Sequence, residues 1–405
     1  MPLAPAAMPD AAAKSDAAAK SDAATPAAGM PDVQVHPVTS GRQRKQFLEL
    51  PWKTNAGDPC WVPPLRHNQK LLAGFGRHPF WDDAECLPLL ATRGGEPVGR
   101  VLAIINHAHN RWAKEQRGFF GFFESVDDER VAAALLSRAG GWLREKGMNA
   151  VRGPANPSIN HEWGLLIEGF DTPPYFLMTH NPPYYGRLVE AAGFSKAQDL
   201  YAYWGEIDML RTMKTDKKIL ALDANIRERF GVTLRSMDRS RFVAEVEMFL
   251  DIYNQALAGT WGYVPLSKAE VMFMAKDLRR LIVPELAIVA EHEGRPIGCA
   301  FGLLDYNPRI KRIDGRLFPL GFLTLLRNRR GIHRLRMMST NVLPEFQGWG
   351  VGVCLALGML QPSLAFGIRE TEFSWVLESN NLSRKTLEKG GARRYKEYRV
   401  YDRVL

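Results

Sequence analysis

Two stretches of this chain recur much later at nearly one offset. "EPVGRVLAIINHAHN" (96–110) matches "RPIGCAFGLLDYNPR" 199 residues on, and "VEAAGFSKAQDLYAY" (189–203) matches "LEKGGARRYKEYRVY" 198 residues on. Two markers at one spacing define an internal duplication. The first pair reads as a turn, a Pro-x-Gly entry and an apolar strand. The second reads as a helix end, a glycine cap and a final strand with alternating apolar residues. The expected organisation is an Ala-rich arm over 1–32, one α/β domain over 33–208, a helical linker over 209–230 and a second domain over 231–405. A length of 405 residues suits two domains. Each copy is expected to run helix, strand hairpin, strand, helix, strand, helix, strand, a mixed α+β architecture with an antiparallel start.

The arm repeats "AAAKSD" in tandem, carries no apolar segment behind a basic start, and is expected to lack a core and not to act as a secretory signal. No apolar run approaches the roughly 20 residues of a membrane-spanning helix. Cys60, Cys86, Cys299 and Cys354 form no C-x-x-C pair. That spacing argues against a disulfide framework and a structural zinc site, so no metal is expected, and it suits a reducing, cytoplasmic compartment. The net charge of +9 is concentrated: Arg309–Arg336 holds nine basic residues against one acid, Asp314. The near-neutral remainder argues against a nucleic-acid partner, which needs many phosphate contacts.

Chemistry concentrates in "STNVLPEFQGWGVGVCLALGML" (339–360). A strand entering glycines and then a helix presents backbone amides at the positive end of the helix dipole, a site for phosphate. No Gly-Lys-Ser/Thr follows, and the third glycine of a dinucleotide loop is missing. A plain turn is the competing reading of the glycines alone.

The order strand, Gln-x-x-Gly-x-Gly, helix, strand and "ESNNLSRKTLEKGG" resembles the acyl-CoA loop of the GNAT superfamily of N-acetyltransferases. The resemblance implies two tandem GNAT-like domains and an acyl-CoA co-substrate, acetyl or long-chain. It assigns the pyrophosphate to the loop Val342, Leu343, Gln347, Gly348, Trp349, Gly350, Val351 and Gly352, with Asn381 on the later helix. It also implies an oxyanion-binding amide near Leu343. Many members have a general-acid Tyr where this chain has Leu387; Tyr395 and Tyr398 are the nearby substitutes. The first copy has "VDDER" at the loop position, where three acids would repel a pyrophosphate. One acyl-CoA site per chain is therefore expected, with the first copy structural or substrate-shaping. "GFFGFFESVDDE", "RGPANPSINHEWGLLIEGFDTPP" and "DGRLFPLGFLTLL" together resemble a bacterial double-GNAT subfamily, some members of which are linked to N-acylation of sphingoid bases.

An amine must lose a proton before attacking a thioester, which calls for a general base. The candidates are Glu378 at a strand end with Asn380 orienting a water, Glu124 at the matching strand end of the first copy, and the pair His161-Glu162. Against these stand ordinary roles: a helix N-terminal acid, an N-cap, a surface residue and a loop hydrogen-bonding group. The basic insert has two readings, contact with an anionic membrane at the inner face or packing onto the first domain. The expected activity is acyl transfer from CoA to a primary amine, with a long-chain base favoured. A small-amine acetyltransferase, an aminoacyl-tRNA-dependent transferase and a non-catalytic CoA- or lipid-binding module are the alternatives.

Overall fold

The computed structural model describes residues 32–206, 209, 212 and 216–405. The arm expected over 1–32 lies outside the described residues except for Asp32. The strands are β1 (Gln34–Pro37), β2 (Ala84–Arg93), β3 (Glu96–Asn106), β4 (Arg117–Ser125), β5 (Ala150–Gly153), β6 (Ala155–Asn156), β7 (Glu162–Trp163), β8 (Leu165–Glu168), β9 (Ser195–Glu206), β10 (Val232–Ser236), β11 (Ala287–His292), β12 (Arg295–Leu304), β13 (Arg334–Val342), β14 (Glu370–Leu377) and β15 (Arg393–Val404). Thirteen of them form one sheet in the order β1-β2-β3-β4-β5-β15-β9-β14-β13-β12-β11-β10, with β8 also on β15; β6 pairs with β7.

Each copy opens with an antiparallel meander, β1–β4 and β10–β13, followed by a parallel neighbour, β5 beside β4 and β14 beside β13. The central hairpins turn at Gly94-Gly95 (φ 58° and 85°) and Glu293-Gly294 (φ 51° and 76°). Two successive positive φ values are the tight-turn geometry that matches strand twist. β1 and β10 add to the expected order. They sit at the two edges of the sheet, too short and too little buried to announce themselves as apolar runs.

The last strand of each copy crosses to the other. β9 ends the first copy but pairs with β14, and β15 ends the second but pairs with β5. The two crossing strands also pair with each other, Leu200 opposite Tyr398. Their burial is therefore not alternating. Gln198 to Tyr203 is buried without interruption, because a strand in mid-sheet is covered on both faces.

The helix Glu129–Glu145 buries Val131, Leu135, Leu136, Ala139 and Leu143, one stripe at three- and four-residue spacing. The helix Val351–Phe366 is apolar nearly all round. Helix Lys217–Phe230, from the expected linker, helps to cover it: Ile219 packs against Leu357 and Leu360.

The basic insert begins in the helix Asn307–Arg312 and continues through the helix Gly321–Leu326 into β13. One face packs inward. Ile310 and Leu325 are buried. Asp314 accepts from Trp52 Nε1 at 2.5 Å and Arg66 Nη2 at 2.7 Å in the first copy. The other face leaves Phe318, Leu320 and Leu323 exposed by 73%, 67% and 50%. Lys311, Arg312, Arg316, Arg327 and Arg330 of the same segment are also exposed.

Candidate active site

β13 and β14 run side by side from Arg334↔Glu370 to Met337↔Phe373 and then part. Beyond that point β13 stays with β12, while β14 stays with β9. The gap between them leads to the glycine loop. After β13 come a short 3₁₀ turn (Pro344–Trp349), then Gly350 at φ 83°, then the helix Val351–Phe366 with no side-chain cap. Gly350 is enforced twice, by its left-handed backbone and by Ile226, whose Cδ1 would lie 2.8 Å from a Cβ. Gly348 and Gly352 face open space in which a Cβ would meet nothing within 4 Å. An uncapped helix start beside such bare backbone lets an anion reach the amides.

The other loop residues shape the turn. Trp349 stacks on Phe230 with ring centres 4.5 Å apart, and Val351 is fully buried. Gln347 Nε2 donates to the Val342 carbonyl at 3.1 Å. An oxyanion-binding amide was expected near Leu343; the Leu343 N–H itself donates to Ile297 O at 2.9 Å. Alternation along a strand turns the Val342 amide to the opposite side, toward the gap.

A buried polar cluster lies where the strands part. Arg336 and Glu372, opposite one another in the β13–β14 register, are 1% and 0% exposed. Arg336 donates to Ser374 Oγ at 2.8 Å and to the carbonyls of Phe176 at 3.0 Å and Leu177 at 2.9 Å. Glu372 accepts from the hydroxyls of Ser374, at 2.6 Å, and Tyr395. Tyr398 is fully buried and its hydroxyl has no partner among the described residues. Burial, with Glu372 nearby, pushes its phenol well above the usual range, so it keeps its proton at neutral pH. Burial pushes the Asp305 carboxyl up to about 6 and pulls the Lys396 ammonium down to about 8.

The remaining candidates are dispersed. Glu378 follows β14 and pairs with Lys196 at 2.8 Å. Asn380 caps the helix Asn381–Lys389, its Oδ1 accepting Ser383 N–H at 3.1 Å, and Asn381 is exposed on the first turn. Leu387 packs beside Tyr201, Tyr203 and Val376. Glu124 is not the counterpart of Glu378, as expected from sequence. It lies on β4, which corresponds to β13, and four strand spacings separate β4 from β14, about 19 Å. Glu124 accepts from Thr54 at 2.7 Å and Tyr185 at 2.6 Å, inside the first copy. His161 is held by Ser158 at 2.9 Å, and burial lowers its pKa to about 3, leaving it neutral. Arg336, Glu372 and Ser374 were not legible as site residues. They sit among other polar residues of β13 and β14, so nothing in the sequence sets them apart.

No family model matches the chain. The bacterial ceramide synthase of Caulobacter vibrioides is 36% identical over 385 residues, covering 92% of this chain and 98% of that protein. Protein YghO of Escherichia coli is 33% identical over 369 residues, covering 89% and 93%. The chain belongs to their family. Among solved structures, a tandem GNAT protein from the clavulanic acid biosynthesis pathway superposes with a TM-score of 0.54 at 12% identity, covering 92% of this chain and 98% of that one. A GCN5-related N-acetyltransferase from Sphaerobacter thermophilus gives 0.51 at 12% identity, covering 93% and 97%. The fold is thus the tandem GNAT fold, α+β with one large mixed sheet and flanking helices, and the double-GNAT family places the chain among N-acyltransferases. Among the described residues no helix is long and apolar enough to cross a membrane, and no group of three His, Cys, Asp or Glu could hold a metal.

Proposed function

We propose that this protein transfers an acyl group from a CoA thioester to the primary amine of a long-chain base, the reaction class suggested by the name of its Caulobacter relative. The observation that carries this is the uncapped helix start at Gly350, with open space at Gly348 and Gly352, beside the parted strands β13 and β14. The loop amides and the helix dipole bind the pyrophosphate. The gap holds the thioester arm, and the Val342 amide stabilises the oxyanion as the amine attacks. The C–N bond forms, the C–S bond breaks, and CoA leaves as thiolate. Glu378, with water held by Asn380, takes the amine's proton, and Tyr398, still protonated, supplies one to the departing sulfur. The test is turnover of acetyl-CoA and palmitoyl-CoA with a long-chain and a short primary amine. Thiol release with palmitoyl-CoA and the long-chain amine is the expected result. Release only with acetyl-CoA and the short amine would overturn the long-chain reading, and none with any pair would overturn the reaction.

Such an acceptor resides in a bilayer, and the insert suits contact with one. Phe318, Leu320 and Leu323 are exposed within one short segment rich in exposed basic residues, which fits an anionic membrane: apolar side chains enter the interface and arginines meet the headgroups. Burying three such side chains is worth several kcal/mol. Changing all three to Ser is expected to weaken binding to vesicles containing anionic lipid by at least about 100-fold. Flotation with anionic and with purely zwitterionic vesicles checks this. Equal binding of variant and wild type, or no preference for anionic lipid, would remove the membrane assignment.

A further inference from the structure

Arg329 and Arg330 close the basic insert, just before β13. There they meet Arg239, which stands near the start of the second copy. The three side chains line one open cavity of about 580 Å³, with Phe366 on its wall and Glu285 as its single acid. Neither Arg239 nor Arg330 makes an ion pair among the described residues.

The frame of this cavity is fixed by the chain itself. Arg309 donates through Nη1 to the Leu325 carbonyl at 2.9 Å and through Nη2 to the Asn328 carbonyl at 2.7 Å. Those bonds tie down the end of the helix Gly321–Leu326 and the loop after it. Asn328, at φ 43°, takes the left-handed turn that brings the next two arginines to the cavity. Arg329 Nη1 donates to the Arg280 carbonyl at 3.1 Å, and the Arg330 guanidinium stands 5.8 Å from the centre of the Phe366 ring. Donors held in this way lose little freedom when a ligand arrives.

Three arginines against one acid leave the cavity at +2. Phe366 ends the helix Val351–Phe366, whose C-terminal carbonyls carry about half a negative charge. That end favours one cation and does not neutralise three. Like charges fixed around one space repel unless an anion joins them, and planar guanidinium groups match the oxygens of a phosphate. The glycine loop lies at the other end of the same helix, about 24 Å away for 16 residues at about 1.5 Å each. An anion here is therefore separate from the CoA diphosphate.

We infer that this cavity binds a phosphate ester against Arg239, Arg329 and Arg330, either the phosphodiester of an anionic lipid headgroup or a soluble phosphate. The volume equals about 19 waters at roughly 30 Å³ each, room for a phosphate with a glycerol on either side. The helix Gly321–Leu326, which carries the exposed Leu323, runs directly into the loop of Arg329 and Arg330. The site thus extends the membrane contact proposed above, and soluble probes test it without a bilayer, so either can fail alone.

The experiment measures binding of monomeric dihexanoyl phosphatidylglycerol, glycerol 3-phosphate and inorganic phosphate by titration calorimetry at low ionic strength. The proteins are wild type, the double variant Arg239→Gln with Arg330→Gln, and Arg312→Gln, which removes a charge from the insert outside the cavity. Wild type is expected to bind the lipid, the double variant about 10- to 100-fold more weakly, and Arg312→Gln like wild type. Tighter binding of the lipid than of the two soluble phosphates supports the headgroup as the source; equal or tighter binding of a soluble phosphate supports that source instead. Melting curves of the ligand-free variants report that the fold is intact, and palmitoyl-CoA affinity is expected to be unchanged in all three proteins. No binding of any probe by wild type, or equal affinity in wild type and the double variant, would overturn the assignment. So would an equal loss in Arg312→Gln, which would reduce the effect to general charge, or a loss of palmitoyl-CoA affinity in the double variant, which would merge the two anion sites.

Discussion

Replacing Gly352 by glutamate is expected to lower acyl-CoA affinity by about 30- to 100-fold while leaving the free protein as stable as before. The position allows this separation. A Cβ there would meet nothing within 4 Å, and the residue lies in the first turn of the helix Val351–Phe366. An acid in the first turn of a helix is favourable to the helix itself, by about 0.3–1 kcal/mol. Beside a bound diphosphate the same charge is repelled, by about 2–3 kcal/mol at the effective dielectric of a protein surface. Gly350 would be a poor choice for this purpose, since φ 83° and the nearby Ile226 make any side chain there disrupt the loop. Titration calorimetry with palmitoyl-CoA, paired with a melting curve of the ligand-free variant, reads both halves of the expectation. Unchanged affinity would show that the diphosphate lies elsewhere.

Changing Arg336 to Met is expected to cost about 3–5 kcal/mol of stability, the usual cost of removing one member of a buried ion pair. Arg336 is 1% exposed, and its guanidinium joins four groups from two parts of the chain: Ser374, Glu372, and the carbonyls of Phe176 and Leu177. Its loss leaves the fully buried Glu372 without its ion-pair partner and two carbonyls without their donor. The double variant Arg336→Met with Glu372→Gln removes the uncompensated charge, so it should recover part of that loss. Urea unfolding of wild type, both single variants and the double variant gives the four numbers. A cost below about 1 kcal/mol for Arg336→Met would show that the cluster does not hold the 174–180 segment in place.

Local features of this protein could be read from its residues because local forces decide them. The hairpin at Glu293-Gly294 needs positive φ, and the Asn380 cap needs a short acceptor three residues before an amide. The glycine loop could be placed for the same reason: open backbone and a left-handed turn at Gly350 are properties of glycine itself. The duplication, too, was present in the order of residues, and with it the expectation of paired α+β halves. Side-chain roles were less legible. Trp349 and Gln347 sit within the loop motif, yet one stacks on Phe230 and the other bonds back to Val342, contacts that depend on which neighbours arrive.

What only the tertiary structure decided lies in pairings between distant residues. The crossing of β9 and β15 joins Tyr401 to Gly153 and Val376 to Tyr201. The same crossing explains why their burial does not alternate. Arg336 reads in sequence as one more cation of a basic insert, and becomes a buried anchor because β13 sets it opposite Glu372 and beneath the 174–180 segment. Glu124 and Glu378 look equivalent in the order of elements, but they stand on strands of different rank in the two halves. Backbone conformation and capping depend on neighbours a few residues away, so sequence alone determined them. Burial, charge pairing and the contents of a cavity depend on chain segments that are distant in sequence, so they were settled only when the sheet closed.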